Sequence, residues 1–75
     1  MGKPTRITNR MRDLREAAGG ITQAELADRI GVTRQTVIAI EQGRYSPTLE
    51  SAFKIARVLG VSLDEVFEYP ETNNN

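Results

Sequence analysis

An arginine and a glutamine at consecutive positions, Arg34 and Gln35, carry the side chains with the clearest chemical use in this sequence. Their paired hydrogen-bonding groups match the major-groove edges of guanine and adenine, and an apolar group such as that of Ile38 or Ala39 can contact a thymine methyl. The 75-residue chain has no histidine and no cysteine, so the commonest general base, zinc ligand and thiol are missing. These residue types therefore favour reading of DNA and disfavour an enzyme.

Two short helices joined by a tight turn are predicted to position these side chains. Thr22 and Glu25 have the spacing of a capping box, which predicts a helix that begins at Gln23. Gly31 ends that helix, because glycine adopts the left-handed backbone conformation without Cβ strain. Thr33 then caps a second helix. Apolar residues at helical spacing give both helices a buried face: Leu26, Ala27, Ile30, Val37 and Ile40.

The buried face determines which side chains of the second helix remain in solvent. With Val37 and Ile40 turned inward, four residues and the cap are expected on the outward face: Arg34, Gln35, Ile38, Ala39 and Thr33. The ordinary alternative for the polar pair is a solvated helix start, and a lone exposed isoleucine needs no functional explanation.

This arrangement resembles the helix-turn-helix of the Cro/C1 repressor-like (XRE-like) transcriptional regulators. The resemblance rests on small Ala27, on Gly31 at the turn and on the apolar residues around them, including Val32. It continues through EQGRYSPTLESAFKIARVLGVSLDEVF and covers about residues 7 to 69. It is closest to the small single-domain members, of which a cytolysin repressor is an example. The resemblance implies an all-α, five-helix DNA-binding domain, most often a repressor, that binds a palindromic operator.

The resemblance also implies roles for individual residues. The family reads bases from the start of the second helix of the motif, which gives base contacts to Arg34 and Gln35, with Thr33, Ile38 and Ala39 as further candidates. The candidates for contacts to the DNA phosphates are Gln23, Arg44, Arg10 and Thr36. Solvation is the ordinary alternative for the two arginines in this second group.

Arg15 and Glu41 occupy places that the family pairs in a partly buried salt bridge between its first and third helices. We expect the same structural ion pair here. One departure lies close by, because Gly19 and Gly20 make the loop before Ile21 one residue longer than is usual in the family.

A homodimer is expected because a palindromic operator needs two reading heads roughly 34 Å apart, a spacing that a dimer supplies. The candidates for the dimer surface lie in the last helix and the segment after it: Leu63, Phe67 and Tyr69. The alternative is that these aromatic side chains complete the core of one subunit.

Composition sets further bounds. The chain has two Phe, two Tyr and no Trp, so the core must be largely aliphatic. The net charge is zero, but residues 1–20 carry +3 and residues 46–75 carry −3, which could orient the basic part towards DNA. The chain lacks an apolar leader and any apolar run of about 18 residues, so we expect a soluble cytoplasmic protein, associated with the nucleoid.

The segments before and after the helix-turn-helix have predicted roles of their own. Residues 1–6 are expected to form a flexible or extended arm, residues 7–69 the DNA-binding domain and residues 70–75 a disordered tail. A first helix is expected after a cap at Thr8 or Asn9, and the resemblance implies a β ribbon between Thr5–Thr8 and Phe67–Tyr69. A helix capped by Thr48 carries a wide apolar stripe predicted to face the core: Leu49, Ala52, Phe53, Ile55, Ala56 and Leu59.

Nothing in the sequence calls for a cofactor, a metal or a small-molecule effector. The carboxylates of Asp64, Glu65, Glu68 and Glu71 are interpreted as a solvated acidic face, since they have no histidine to act with. The expected partners are double-stranded DNA and a second copy of the chain, with no membrane. The alternative function is an antitoxin-like or other protein-interaction module on the same scaffold.

Overall fold

Five helices and a two-stranded ribbon make up the part of the chain that the structure, a computed structural model, describes, which is residues 5–70. In chain order the elements are β1 (Thr8–Asn9), α1 (Met11–Ala17), α2 (Gln23–Ile30), α3 (Arg34–Glu41), α4 (Leu49–Leu59), α5 (Leu63–Val66) and β2 (Phe67–Glu68). The all-α prediction with a terminal ribbon is confirmed. Residues 1–4 of the expected arm and residues 71–75 of the expected tail lie outside the described residues.

Threonine hydroxyls begin three of the helices, as their spacing predicts. The Oγ1 atoms of Thr22, Thr33 and Thr48 accept hydrogen bonds from backbone amides three residues ahead, at 3.0, 3.2 and 3.1 Å. Each bond satisfies one of the amides that a helix start leaves unpaired. The start of the helix-turn-helix is thus encoded locally in the sequence.

The start of α1 differs from its prediction. The helix begins at Met11, and the residue in the N-cap position is Arg10, which makes no side-chain cap. Asn9 caps from one residue further back, because its Oδ1 atom accepts a hydrogen bond of 3.1 Å from the Met11 amide. The reason for the shift is that Thr8 and Asn9 are extended in β1, where they pair antiparallel with Glu68 and Phe67.

The core lies between the helices and is aliphatic apart from one methionine. The largest side chains with almost no exposed surface come from all five helices: Met11, Leu26, Val37, Ile55 and Val66. One part of the predicted core is wrong, because Leu49 and Phe53 are 69% and 54% exposed. They lie one turn apart on the edge of the apolar stripe, and α4 packs inward through Ala52, Ile55, Ala56 and Leu59 instead.

The loop between α1 and α2 closes on the end of α1. Gly19 and Gly20 have φ angles of +99° and +83°, in the region that favours glycine. The carbonyl oxygen of Arg15 accepts hydrogen bonds from the amides of Gly20, at 3.0 Å, and Ile21, at 3.1 Å. The additional glycine is therefore absorbed within a turn that returns to α1.

None of the helices in residues 5–70 has the length and apolar character that crossing a bilayer requires.

Candidate nucleic-acid interface

The turn between α2 and α3 has the geometry that the sequence predicts. Gly31 has a φ angle of +79°, and its amide donates a hydrogen bond of 2.9 Å to the carbonyl oxygen of Ala27. The Val32 amide donates to the same oxygen at 3.0 Å, and Thr33 then begins α3. This turn sets the direction of α3 and therefore the face that it exposes.

The exposed face of α3 carries both residues predicted to read bases. Arg34 and Gln35 are exposed in its first turn, with the exposed cap Thr33 before them. Thr36 and Ile38 are half-buried on the same helix. The structure therefore brings a guanidinium, an amide and an isoleucine side chain together at one helix start, which is the end that helix-turn-helix proteins direct at base edges.

Ala39 is not part of this face. It is 5% exposed, so the expectation that it points outward to contact DNA is wrong. Ala39 is buried together with Val37 and Ile40, so the covered face of α3 is wider than those two apolar residues alone indicate. Periodicity within one helix does not reveal how far the neighbouring segments cover it.

Arg15 and Glu41 form a mostly buried ion pair beside α3. The Nε atom of Arg15 lies 2.7 Å from Oε2 of Glu41, Nη2 lies 3.2 Å from Oε1, and the two side chains are 12% and 10% exposed. The third nitrogen, Nη1, donates to the carbonyl oxygen of Ile21 at 2.9 Å. The pair joins α1, the following loop and α3.

Gln23 occupies the first position of α2, next to both α3 and the ion pair. Its Nε2 atom donates to Oε1 of Glu41 at 3.0 Å, and its Oε1 atom accepts from Nη2 of Arg34 at 3.4 Å. Gln23 is half-buried rather than free in solvent. Its predicted contact with a DNA phosphate stays a prediction, and the structure shows the amide used within the protein.

The other phosphate candidates have different surroundings. Arg44 is exposed, and its Nε atom donates to Oε1 of Gln42 at 2.9 Å, which keeps the guanidinium next to the end of α3. Arg10 donates from both Nε and Nη2 to the carbonyl oxygen of Glu65, each at 3.1 Å, so its guanidinium is held against α5. Thr36 has its Oγ1 atom 3.1 Å from that of Thr33. Arg44 therefore has the strongest geometric support.

Basic and acidic side chains of α1 border an open groove in front of α3. The groove lies between α1, the start of α2 and α3, and its floor includes Ile38 and Glu41. Arg12 and Glu16 form an exposed pair across one turn of α1 at 3.9 Å. The charge at the rim is thus mixed, and the guanidinium of Arg34 is the cation on the α3 side of the groove.

The residues predicted for a dimer lie together at the opposite end of the sequence. Leu63 and Phe67 are half-buried and Tyr69 is 65% exposed. With Ile7 they line a shallow, largely apolar depression. Ile7 is not among the residues predicted for the dimer surface, and its only sequence signal is its place within the predicted ribbon segment Thr5–Thr8.

Asn9, which is a predicted cap for α1, has a second role that the sequence does not indicate. While its Oδ1 atom caps α1, its Nδ2 atom donates to the carbonyl oxygen of Ile40 at 3.0 Å. One side chain therefore joins the start of α1 to the last turn of α3.

Residues 5–70 contain no group of three histidine, cysteine, aspartate or glutamate side chains placed to hold a metal ion.

Comparison with known proteins places this geometry in context. Residues 11–66 match the sequence profile of the helix-turn-helix family. An uncharacterized helix-turn-helix-type transcriptional regulator of Methanocaldococcus jannaschii is 49% identical over 55 residues, which are 73% of this chain and 83% of that protein. The cryptic phage CTXphi transcriptional repressor RstR of Vibrio cholerae is 39% identical over 67 residues, which are 89% of this chain and 60% of the repressor. The restriction-modification controller protein C.AhdI of Aeromonas hydrophila superposes with a TM-score of 0.66 at 33% identity, over 73% of this chain and 78% of that one.

Proposed function

Since the chain belongs to the helix-turn-helix family, we propose that it represses transcription by binding a palindromic DNA operator as a homodimer. Membership of the family makes the chain a DNA-binding transcriptional regulator and not an enzyme. The similarity to RstR, which is named a repressor, supports repression as the mode of regulation. A regulator of this kind acts at the nucleoid in the cytoplasm.

The observation that carries the proposal is the exposed pair Arg34 and Gln35 at the front of α3. A guanidinium can donate two hydrogen bonds to guanine, and a carboxamide can pair with adenine, each through the major groove. Ile38 lines the protein groove between α1, the start of α2 and α3. In the complex its side chain would contact a thymine methyl in the major groove of the DNA. Thr33, at the leading end of the helix, supplies a hydroxyl to the same region.

Phosphate contacts would fix the register of the protein on the duplex. Arg44 follows α3 directly and is exposed, so it is the main candidate for a phosphate beside the base-reading helix. Thr36 supplies a hydroxyl from within α3. Arg10 and Gln23 are weaker candidates for direct phosphate contacts. Two nitrogens of the Arg10 guanidinium are held by the carbonyl oxygen of Glu65, and both polar groups of Gln23 are bonded within the protein, whereas Arg44 is held through Nε alone.

A homodimer would place two copies of α3 on successive turns of the major groove. The surface proposed for this contact consists of Ile7, Leu63, Phe67 and Tyr69. Tyr69 is the central residue in this proposal, because an aromatic side chain that is 65% exposed offers much apolar surface for burial against a second copy. The partners are thus double-stranded DNA and a second copy, without a small-molecule effector.

Selection of bound fragments from a pool of random duplexes tests the proposal. The full chain should select a sequence with two related half-sites, and the selected duplex should be retarded in a gel at low salt and less so as salt rises. Arg34→Ala and Gln35→Ala should each relax the preference at different base pairs. Arg57→Ala, which removes an exposed arginine from the last turn of α4, is the control and should leave the selected sequence unchanged.

Two results of this selection would contradict different parts of the proposed function. No retardation at low salt would overturn DNA binding by this chain and favour the protein-interaction alternative. A single half-site bound by a monomer would overturn the homodimer alone.

A further inference from the structure

A row of hydrogen bonds connects the interior of the domain with the exposed guanidinium of Arg34. Arg15 donates to Glu41, Glu41 accepts from Gln23 at 3.0 Å, and Gln23 accepts from Arg34 at 3.4 Å. The row crosses from α1 to α3, then to α2, and returns to the first residue of α3.

Only one orientation of the Gln23 carboxamide satisfies both of its neighbours. The carboxylate of Glu41 can only accept hydrogen bonds, so the NH2 group must face it, and the guanidinium of Arg34 can only donate, so the carbonyl oxygen must face that residue. A reversed carboxamide would set an oxygen against a carboxylate and an NH2 group against a guanidinium. The chemistry of the neighbours thus fixes the assignment of the two amide atoms.

The inner end of the row is held much more firmly than its outer end. Glu41 receives two bonds from Arg15, and the two side chains are 10% and 12% exposed. Arg15 is itself held by the carbonyl oxygen of Ile21 at 2.9 Å. Arg34 is exposed, and within residues 5–70 its side chain is held by a hydrogen bond of 3.4 Å to Gln23.

We propose that Glu41 is a positioning residue for base selectivity, because through Gln23 it fixes where the guanidinium of Arg34 lies. This inference rests on the proposed function, in which Arg34 reads a base. A guanidinium has five N–H donors, so the one bond to Gln23 leaves others to face a base. A side chain held in place before binding loses less rotamer freedom when the complex forms, and a fixed direction discriminates better between base edges.

Two variants interrupt the row of hydrogen bonds at different residues. Gln23→Met keeps a side chain of similar length and leaves the Arg15–Glu41 pair intact, but it gives Arg34 no acceptor. Arg15→Met combined with Glu41→Leu replaces the ion pair with two apolar side chains, so no unpaired buried charge remains and the fold can be retained. In the second variant Gln23 is present and has lost the partner that orients it.

Both variants should reduce the preference for the selected base pair opposite Arg34 by about tenfold, as expected for a weakened bidentate contact. The measurement uses duplexes from the random-pool selection, with all four base pairs in turn at each position. Preferences at positions read by Gln35 should change little. When either variant is added to Arg34→Ala, no further loss of selectivity should occur at that position, because the row acts through that guanidinium.

The controls separate this inference from the proposed function. Glu50→Gln, which removes an exposed carboxylate from α4, should change neither selectivity nor fold. If Arg34→Ala leaves every base preference unchanged, the proposed reader is wrong and the positioning role fails with it. If Arg34→Ala relaxes one position but Gln23→Met weakens binding to all sequences equally, Gln23 binds phosphate and the positioning role is wrong. If Gln23→Met relaxes that position but the folded ion-pair variant does not, Gln23 acts without Glu41 and the role given to Glu41 is overturned.

Discussion

The α1–α3 side of the domain and the edge formed by α5 and β2 differ in the polarity and the exposure of their side chains. On the first side, polar groups partner one another, as in the pair of Arg15 with Glu41 at 2.7 Å. On the second, apolar groups lie open, as with Tyr69, which is 65% exposed. A surface that must present directed hydrogen bonds requires fixed polar atoms, whereas a surface that associates through apolar area requires only exposure. The difference agrees with the proposal that the first side faces DNA and the second faces another copy of the chain.

The largest effect should follow from removing half of the ion pair on the polar side. Arg15→Met leaves the carboxylate of Glu41 mostly buried without its cation, and we expect the free energy of unfolding to fall by about 3 to 5 kcal/mol. Urea denaturation measures the loss. The matched control is Lys54→Met, which breaks an exposed pair with Glu50 at 3.6 Å and should cost well under about 1 kcal/mol. Equal losses in the two variants would show that burial adds nothing to the Arg15–Glu41 pair, which would contradict the role given to fixed polar groups on the α1–α3 side.

A smaller effect should follow on the apolar edge, and it should leave the fold of each subunit intact. Tyr69→Ser removes an exposed ring, and we expect the free energy of dimerisation to weaken by about 2 kcal/mol, which is roughly 30-fold in Kd. Sedimentation equilibrium measures the change. Phe53→Ser is the matched control, because it removes another exposed aromatic ring from α4, outside the depression at this edge. Weakening by Phe53→Ser alone would move the dimer surface to α4.

The smallest effect should concern the salt dependence of DNA binding. Arg44→Ala removes an exposed guanidinium beside the end of α3, so binding to all sequences should weaken alike. The slope of log K against log salt should become shallower by about 0.9 if one phosphate contact is lost. Gel retardation over a range of salt concentrations gives the slope. An unchanged slope together with altered base preference would make Arg44 a base reader instead.

Local patterns in the sequence predicted most of the motif. A threonine hydroxyl before an apolar run, or a glycine after one, defines a helix end through bonds between near neighbours. For this reason the sequence correctly predicts the helix ends at Thr22, Gly31 and Thr33. The exposure of Arg34 and Gln35 followed in the same way from the buried positions of α3. These features need no knowledge of the rest of the chain.

The errors arose where distant segments meet. Ala39 is buried together with Val37 and Ile40, so the covered face of α3 is wider than its periodicity predicts. Leu49 and Phe53 extend the apolar stripe of α4 beyond the width that its neighbours cover, so the helical spacing of apolar residues overstates the core. The bond from Asn9 to Ile40 spans 31 residues and left no sequence signal. In each case tertiary contacts, rather than local preference, determined the outcome.

The ribbon has a consequence for the stage of synthesis at which α1 can dock on the rest of the domain. The amide of Arg10 bonds to the carbonyl oxygen of Val66 at 2.9 Å, its guanidinium bonds to Glu65, and Thr8 pairs with Glu68. A ribosome releases the N-terminal segment first, and contacts this far apart in the chain form late. The start of α1 thus emerges long before the residues that hold it. We expect α1 to be loosely docked in a nascent chain that is arrested before residue 65. Firm docking requires the later residues Glu65, Val66 and Glu68, which bond to the segment before α1.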